Sequence, residues 1–176
     1  MNFKTLIRTV PDFPKPGIRF RDITPLLASG TGFRHVISLL AERYAGKVDK
    51  VVGIEARGFI FGAAIAHQLG AGFVPIRKPG RLPSESIGQD YALEYGTNRI
   101  EVHVDGLVKG ERAVVIDDLL ATGGTALAAL ALVERIGATV VECAFVIELL
   151  DLPGRARIEK HGTRVHALCG FTEDES

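Results

Sequence analysis

Asp117 and Asp118 stand side by side at the end of the apolar run Ala113–Ile116, followed by Leu119-Leu120-Ala121-Thr122-Gly123-Gly124-Thr125 and an Ala/Leu-rich stretch. A buried strand of this kind carries its acids to its carboxyl end, the edge at which open α/β sheets bind ligands. Gly123 and Gly124 let main-chain N–H groups approach an anion, and Thr122 and Thr125 add hydroxyl donors. The start of the following helix adds its positive dipole end. A phosphate dianion fits such a turn. No lysine follows the glycines, so this is not the GxxxxGK[ST] loop of nucleoside triphosphatases, and its spacing is not the dinucleotide GxGxxG. Carboxylates would repel the phosphate oxygens, so the acids need a partner of their own. A ribose supplies it: neighbouring hydroxyls donate to the carboxylates while the 5-phosphate sits in the turn. The plainer alternative is that Asp117 and Asp118 merely close the strand and the glycines merely turn the chain.

The surrounding pattern states which elements must hold these residues. Short β-rich runs at Val51–Ile54, Phe73–Ile76, Ala113–Ile116 and Thr139–Ile147 alternate with helical periodicity at Phe59–Leu69 and Thr125–Ile136. Strands apolar on both faces, alternating with helices, predict an α/β fold with an open parallel sheet flanked by helices. Phe33, Val36, Ile37, Leu40 and Tyr44 predict an amphipathic helix, and the spacing of Phe3, Leu6, Ile7 and Val10 predicts another. Between them, the proline-rich Pro11–Gly17 reads as an extended, stiff connector. Residues 77–95 break the rhythm, being rich in Gly, Pro, Ser and charge, and read as a lid loop. Arg99–Val104 alternates as a half-exposed strand.

The segment Asp117–Thr125 resembles the phosphoribosyl pyrophosphate motif of the type I phosphoribosyltransferases. Four more ordered motifs extend the resemblance to the adenine-specific members of that family: Phe13–Gly17 with Phe20–Pro25, Gly53–Gly62, Arg77–Pro83 and Leu93–Gly96. The resemblance implies one domain over residues 1–176, with an N-terminal hood over 1–32 and a flexible lid over 77–95. It implies Mg²⁺-dependent transfer of the phosphoribosyl group to N9 of adenine, giving AMP and pyrophosphate. The ion would be held by substrate oxygens and water, with no direct protein ligand expected.

Ala121, Thr122, Gly123, Gly124 and Thr125 would hold the 5-phosphate, and Asp117 and Asp118 the ribose. Arg57 and Gly58 would form the pyrophosphate loop, where Gly58 permits a tight turn and Arg57 offers a cationic fork. By themselves they also suit an ordinary strand-to-helix turn with a surface ion pair. Arg77, Lys78 and Arg81 would meet the leaving pyrophosphate, and a solvated charge cluster is the alternative, most evenly so for Arg81. Glu94 matches the family's acid/base group at the purine, an assignment the resemblance alone carries. Adenine would lie against Arg19, Phe20 and Arg21, held through their main chain, with Leu149 completing an apolar sandwich. Arg19 departs from the apolar residue common at its place, and Phe20 alone would equally suit the core.

The bulk numbers exclude other classes. The 176 residues suffice for one sizeable core, and Lys plus Arg balance Asp plus Glu at 21 each, which excludes a nucleic-acid footprint. The longest apolar run, Ala126–Val133, falls well short of the roughly 20 residues of a membrane span. Cys143 and Cys169 lie in apolar runs and read as core thiols of a reducing cytoplasm, and none of the histidines is paired at metal-ligand spacing. The resemblance further implies a cytoplasmic homodimer. Two rival readings stay open: a relative acting on an oxopurine or orotate, and a non-catalytic sensor of phosphoribosyl pyrophosphate.

Overall fold

Residues 1–92 and 96–175 are described in a computed structural model. Strands β1 (Arg8–Val10) and β2 (Phe20–Asp22) precede helices α1 (Thr24–Ala28) and α2 (Gly30–Tyr44). Then come β3 (Lys50–Ile54), α3 (Arg57–Leu69), β4 (Gly72–Ile76), β5 (Ser86–Ala92) and β6 (Thr97–His103). The chain continues through β7 (Arg112–Leu120), α4 (Gly124–Ile136), β8 (Thr139–Leu149), α5 (Gly154–Lys160) and β9 (Arg164–Phe171). Five strands form the central parallel sheet in the order β4-β3-β7-β8-β9, and β1-β2 and β5-β6 are separate antiparallel pairs. This is the expected open parallel sheet flanked by helices.

The period-two alternation of the strands divides the core into two layers. Val51, Val114 and Ile116 join the layer built with α2, α3 and the N-terminal segment. Val52, Ile54 and Val115 join the layer built with α4 and the β5-β6 hairpin. In α2, Val36, Ile37, Leu40 and Tyr44 are buried at helical spacing, and the Ser29 hydroxyl accepts the Gly32 N–H at 3.1 Å to cap the first turn. In α4 the buried alanines Ala126, Ala128 and Ala129 keep the helix thin enough to lie between sheet and hairpin. The helix ends on Gly137, whose φ of 93° suits glycine.

Three sequence expectations are corrected. Phe3 and Ile7 are buried as their spacing required, but a 3₁₀ turn over Phe3–Leu6 leads directly into β1 instead of an α-helix continuing to Val10. Thr9 and Val10 are β-branched and pair with Arg21 and Phe20, so tertiary pairing overrides the helical period. Pro11–Gly17 is a folded turn between β1 and β2, not an extended connector. The Gly17 N–H reaches Asp12 Oδ1 at 2.7 Å, and the Phe13 N–H reaches the Ile18 carbonyl at 3.2 Å. The stretch read as a lid loop contains strand β5, in which Ile87 and Tyr91 pack on the core and the Gly88 carbonyl accepts from Arg135 Nη1 at 2.8 Å. Residues 93–95 of that stretch lie outside the described residues. The apolar run that holds Cys169 is strand β9, and helix α5 extends the architecture beyond the elements read from sequence.

One buried charge ties α2 to the sheet. Glu142, 3% exposed, accepts from Arg43 Nε at 2.6 Å, from Arg43 Nη2 at 2.9 Å and from the Tyr44 hydroxyl at 2.6 Å. Burial pushes its carboxyl up, but the bonds from Arg43 and Tyr44 outweigh this and hold it below its ordinary 4.5. Its stabilising contribution is therefore full above that value and is lost as pH falls through the lowered folded one. Glu142→Ala should cost about 2 kcal/mol in urea unfolding at neutral pH, less than the roughly 3–5 kcal/mol of a wholly buried pair because Arg43 is partly exposed. The difference from wild type should shrink on acidification; a constant difference would contradict this origin.

Candidate active site

The chain leaves β3 toward β4 on one side and leaves β7 toward β8 on the other, so the carboxyl ends of β3 and β7 flank the point where the sheet order reverses. Ligand crevices of open α/β sheets form there because the two following loops diverge. Glu55-Ala56-Arg57-Gly58 leaves β3 into α3, and Leu120–Gly124 leaves β7 into α4. The two loops face one another across adjoining cavities. A cavity of about 260 Å³ is lined by Glu55, Arg57, Arg77, Lys78, Tyr91 and Thr125 among others. A second, of about 230 Å³, is lined by the continuous run Asp117–Ala126 with Arg57 and Phe145. Arg57, Asp117, Asp118 and Thr125 border both.

Strand β7 continues to Leu120, so the acids lie within its last residues and not beyond it. Gly58 allows the start of α3 to press against them. A Cβ at Gly58 would stand 2.7 Å from the Ile116 carbonyl oxygen and 3.0 Å from Asp117 Oδ1, which no larger residue permits without displacing β7. Gly123, at φ 79°, turns the chain into α4, so the expected phosphate turn has both its left-handed glycine and a helix start. Arg157 of α5 fastens this turn by donating to the Thr122 carbonyl at 2.7 Å.

The electrostatics of the site centre on the two acids. Asp118 is 4% exposed, and Arg57 Nε approaches its Oδ2 at 2.6 Å. Apart from this charge contact, Oδ2 has no hydrogen-bond partner among the described residues. An acceptor in this state calls for a donor from a ligand. Asp117 Oδ1 accepts the Asp118 N–H at 2.9 Å. Although Asp117 keeps some accessible surface, burial of its carboxyl and then the charge of Asp118 raise its pKa well above the usual carboxylate range.

The other expected residues divide. Arg77 and Lys78 border the larger of these two cavities, but Arg77 is held by Glu55, with Nη2 to Oε1 at 2.8 Å, and Lys78 donates its main-chain N–H to Glu55 Oε2 at 3.0 Å. The structure does not bring the Arg81 side chain into either cavity. Arg81 is exposed, and its carbonyl accepts from Arg77 Nη1 at 3.0 Å. Phe20 stands beside the site, its ring 5.2 Å from the Arg57 guanidinium. The Arg19 and Arg21 side chains turn to the opposite side of β2 and line, with Leu149, a separate cavity of about 480 Å³. Glu94 lies outside the described residues. Tyr91, whose ring packs against Gly124, and Arg157 were not foreseen. Ile87 and Tyr91 share one face of β5, a period-two signal that could have found the strand, whereas the Arg157 bond spans 35 residues and leaves no local trace.

A phosphoribosyl transferase domain model matches residues 22–168. The adenine phosphoribosyltransferase of Methylobacillus flagellatus is 57% identical over 176 residues, covering 99% of this chain and 100% of that one. The chain belongs to the adenine phosphoribosyltransferase family. The crystal structure of the Thermoanaerobacter pseudethanolicus member superposes with a TM-score of 0.92 at 48% identity, covering 96% of this chain and 98% of that one. The Saccharomyces cerevisiae member, solved with an imino-altritol bisphosphate and adenine, gives 0.89 at 37% identity, covering 94% and 96%.

The raised pKa of Asp117 has a consequence for the free protein. Asp117 favours the folded state while protonated and disfavours it as pH rises through its folded value. Asp117→Asn should therefore stabilise the free protein at about pH 8, a gain that shrinks toward about pH 4. Thermal unfolding across that range checks this; a gain independent of pH would contradict it.

Proposed function

We propose that the protein transfers the 5-phosphoribosyl group of phosphoribosyl pyrophosphate to N9 of adenine, releasing pyrophosphate and forming AMP. The observation that carries this reading is Asp118 Oδ2, buried and without a hydrogen-bond partner among the described residues, at the mouth of a glycine-threonine turn that opens a helix. Main-chain amides from Ala121 to Thr125, with the hydroxyls of Thr122 and Thr125, hold the 5-phosphate. Asp117 and Asp118 accept from the ribose hydroxyls. Arg57 and the Gly58 amide, with Arg77 and Lys78 at the root of the hairpin, receive the pyrophosphate.

As N9 forms its bond to C1, the bond from C1 to the pyrophosphate oxygen breaks, and that oxygen leaves with the electron pair. Positive charge grows on the ribose ring meanwhile, and the neighbouring carboxylates stabilise it. The N9 proton passes to Glu94. The Mg²⁺ ion would be held by substrate oxygens and water, with no direct protein ligand, and the acidic pair Asp117 and Asp118 beside the cavity suits a ligand that arrives with its own cation. Bound Mg²⁺ would neutralise charge on the leaving pyrophosphate. The hairpin β5-β6, which places Tyr91 on the cavity, serves to exclude water from the reacting ribose.

Adenine is favoured over oxopurines and orotate because the relatives named above are adenine phosphoribosyltransferases, and the yeast member holds adenine in its crystal. Phe20 beside Arg57 supplies a flat apolar wall close to the ribose acids. The Arg19 side chain leaves that wall, so its departure from the family pattern does not alter the choice of base. No helix among the described residues is long and apolar enough to cross a membrane. A cytoplasmic homodimer acting on small molecules, without nucleic acid or membrane partners, completes the reading.

Incubation with labelled adenine, phosphoribosyl pyrophosphate and Mg²⁺ should yield AMP and pyrophosphate, and chelation of the metal should abolish it. Asp118→Asn should lower kcat/KM for phosphoribosyl pyrophosphate on the order of 10²-fold without loss of fold. Glu94→Gln should lower kcat by about 10²–10⁴. Wild-type rates in both variants would overturn the scheme.

A further inference from the structure

The residues after β9 bond to the segment that carries Phe20, and also to Lys4 and Asp151. Glu173 presents its carbonyl to Arg19 Nη1. Arg21 Nη2 donates to the Thr172 carbonyl at 3.2 Å and to the Glu175 carbonyl at 2.7 Å, while its guanidinium stacks on Phe171 at 4.2 Å. The same tail is braced from both ends of the fold. Lys4 Nζ meets Glu175 Oε1 at 2.6 Å, and the Glu173 N–H meets Asp151 Oδ2 at 2.6 Å, beyond the end of β8. Internally, the Thr172 N–H reaches Glu175 Oε2 at 2.9 Å.

The pattern matters because of where the bonds fall. Side chains alternate along an extended segment, so Arg19 and Arg21 point one way and Phe20 the other. The tail therefore grips both neighbours of Phe20 from behind while leaving its front face to Arg57 and the site. β2 needs this help. It has three residues and among the described residues pairs only with the equally short β1, and an isolated two-stranded ribbon is marginal in water. The tail and the end of β8 also form the far wall of the 480 Å³ cavity behind this segment, with Arg19, Arg21, Leu149, Asp151 and Glu173 among its lining. On that side β2 is held by the stacking of Arg21 on Phe171, by the bond from Arg21 to Thr9 Oγ1 and by the tail.

We propose that residues 172–175 act as a strap that sets the position of the base-binding segment Ile18–Arg21, so that the tail governs affinity for adenine without touching it. This rests on the reading of Phe20 as a wall of the adenine site. Arg19 and Arg21 are positioning residues in this account, acting through Phe20. The phosphate turn and the pyrophosphate loop are built on β7, β3 and α3, and the strap bonds to none of them. Loss of the strap should therefore separate the two substrates kinetically.

The test compares a chain ending at Thr172, Arg19→Met, Arg19→Lys and Phe20→Ala with wild type, measuring KM for each substrate, kcat, and hydrogen exchange over residues 18–22. The truncated chain and Arg19→Met should raise KM for adenine on the order of 10-fold while KM for phosphoribosyl pyrophosphate stays within about twofold. Arg19→Lys, which keeps one donor, should fall between Arg19→Met and wild type. Amide exchange should quicken over 18–22 and not in β7. If Phe20→Ala raises KM for adenine and the truncation does not, the strap is overturned while the base site stands. If truncation raises both KM values together, it acts through general stability and the proposal again fails. If Phe20→Ala leaves KM for adenine unaltered, the base lies elsewhere and the strap falls with that reading.

Discussion

Two carboxylates held next to each other in a buried site, with a single guanidinium against one of them, form the constraint around which this molecule is organised. Burial makes charge costly and the second acid makes it costlier, which is why Asp117 holds its proton more tightly than a free aspartate. Arg57 answers part of the charge on Asp118 but leaves Oδ2 without a hydrogen bond among the described residues. Such an arrangement is stable only because the surrounding fold over-determines it, and in the proposed reading a ligand's hydroxyl donors and cation make it favourable.

The elements serve that arrangement in order of distance. β7 presents the acids at the point where the sheet reverses direction, α3 approaches them over the bare Cα of Gly58, and α4 begins one turn later at Gly123-Gly124. Helix α5 then holds the turn through Arg157, and the hairpin lies along α4 with Tyr91 against Gly124. β2 brings Phe20 to the Arg57 guanidinium. Each layer limits the freedom of the one inside it, so the reacting groups are positioned before substrate arrives.

What the sequence disclosed follows from how local each feature is. The central strands and α3 and α4 were legible because their apolar periods are long and their boundaries carry glycine, as at Gly123 and Gly137. Asp117–Thr125 was legible because acids, glycines and threonines in that order have few other uses. The first ten residues misled because Phe3 and Ile7 obey a helical spacing, while pairing of Thr9 and Val10 with β2 decides the backbone. Strand β5 hid behind glycine and charge, although Ile87 and Tyr91 mark its buried face. Arg57 sat where the motif placed it, but its contact with Asp118 joins residues from different loops, and no reading along the chain shows such a pair. The same holds for Arg21, which besides Thr9 bonds to Thr172 and Glu175 at the far end of the chain.

The measurement closest to the centre of this account is a crystal structure of the protein with AMP. The account requires the phosphate among the amides of residues 121–125, both ribose hydroxyls on Asp117 and Asp118 with Asp118 Oδ2 accepting one of them, and the purine against Phe20. A nucleotide bound elsewhere, or a ribose that leaves Asp118 Oδ2 without a donor, would contradict it.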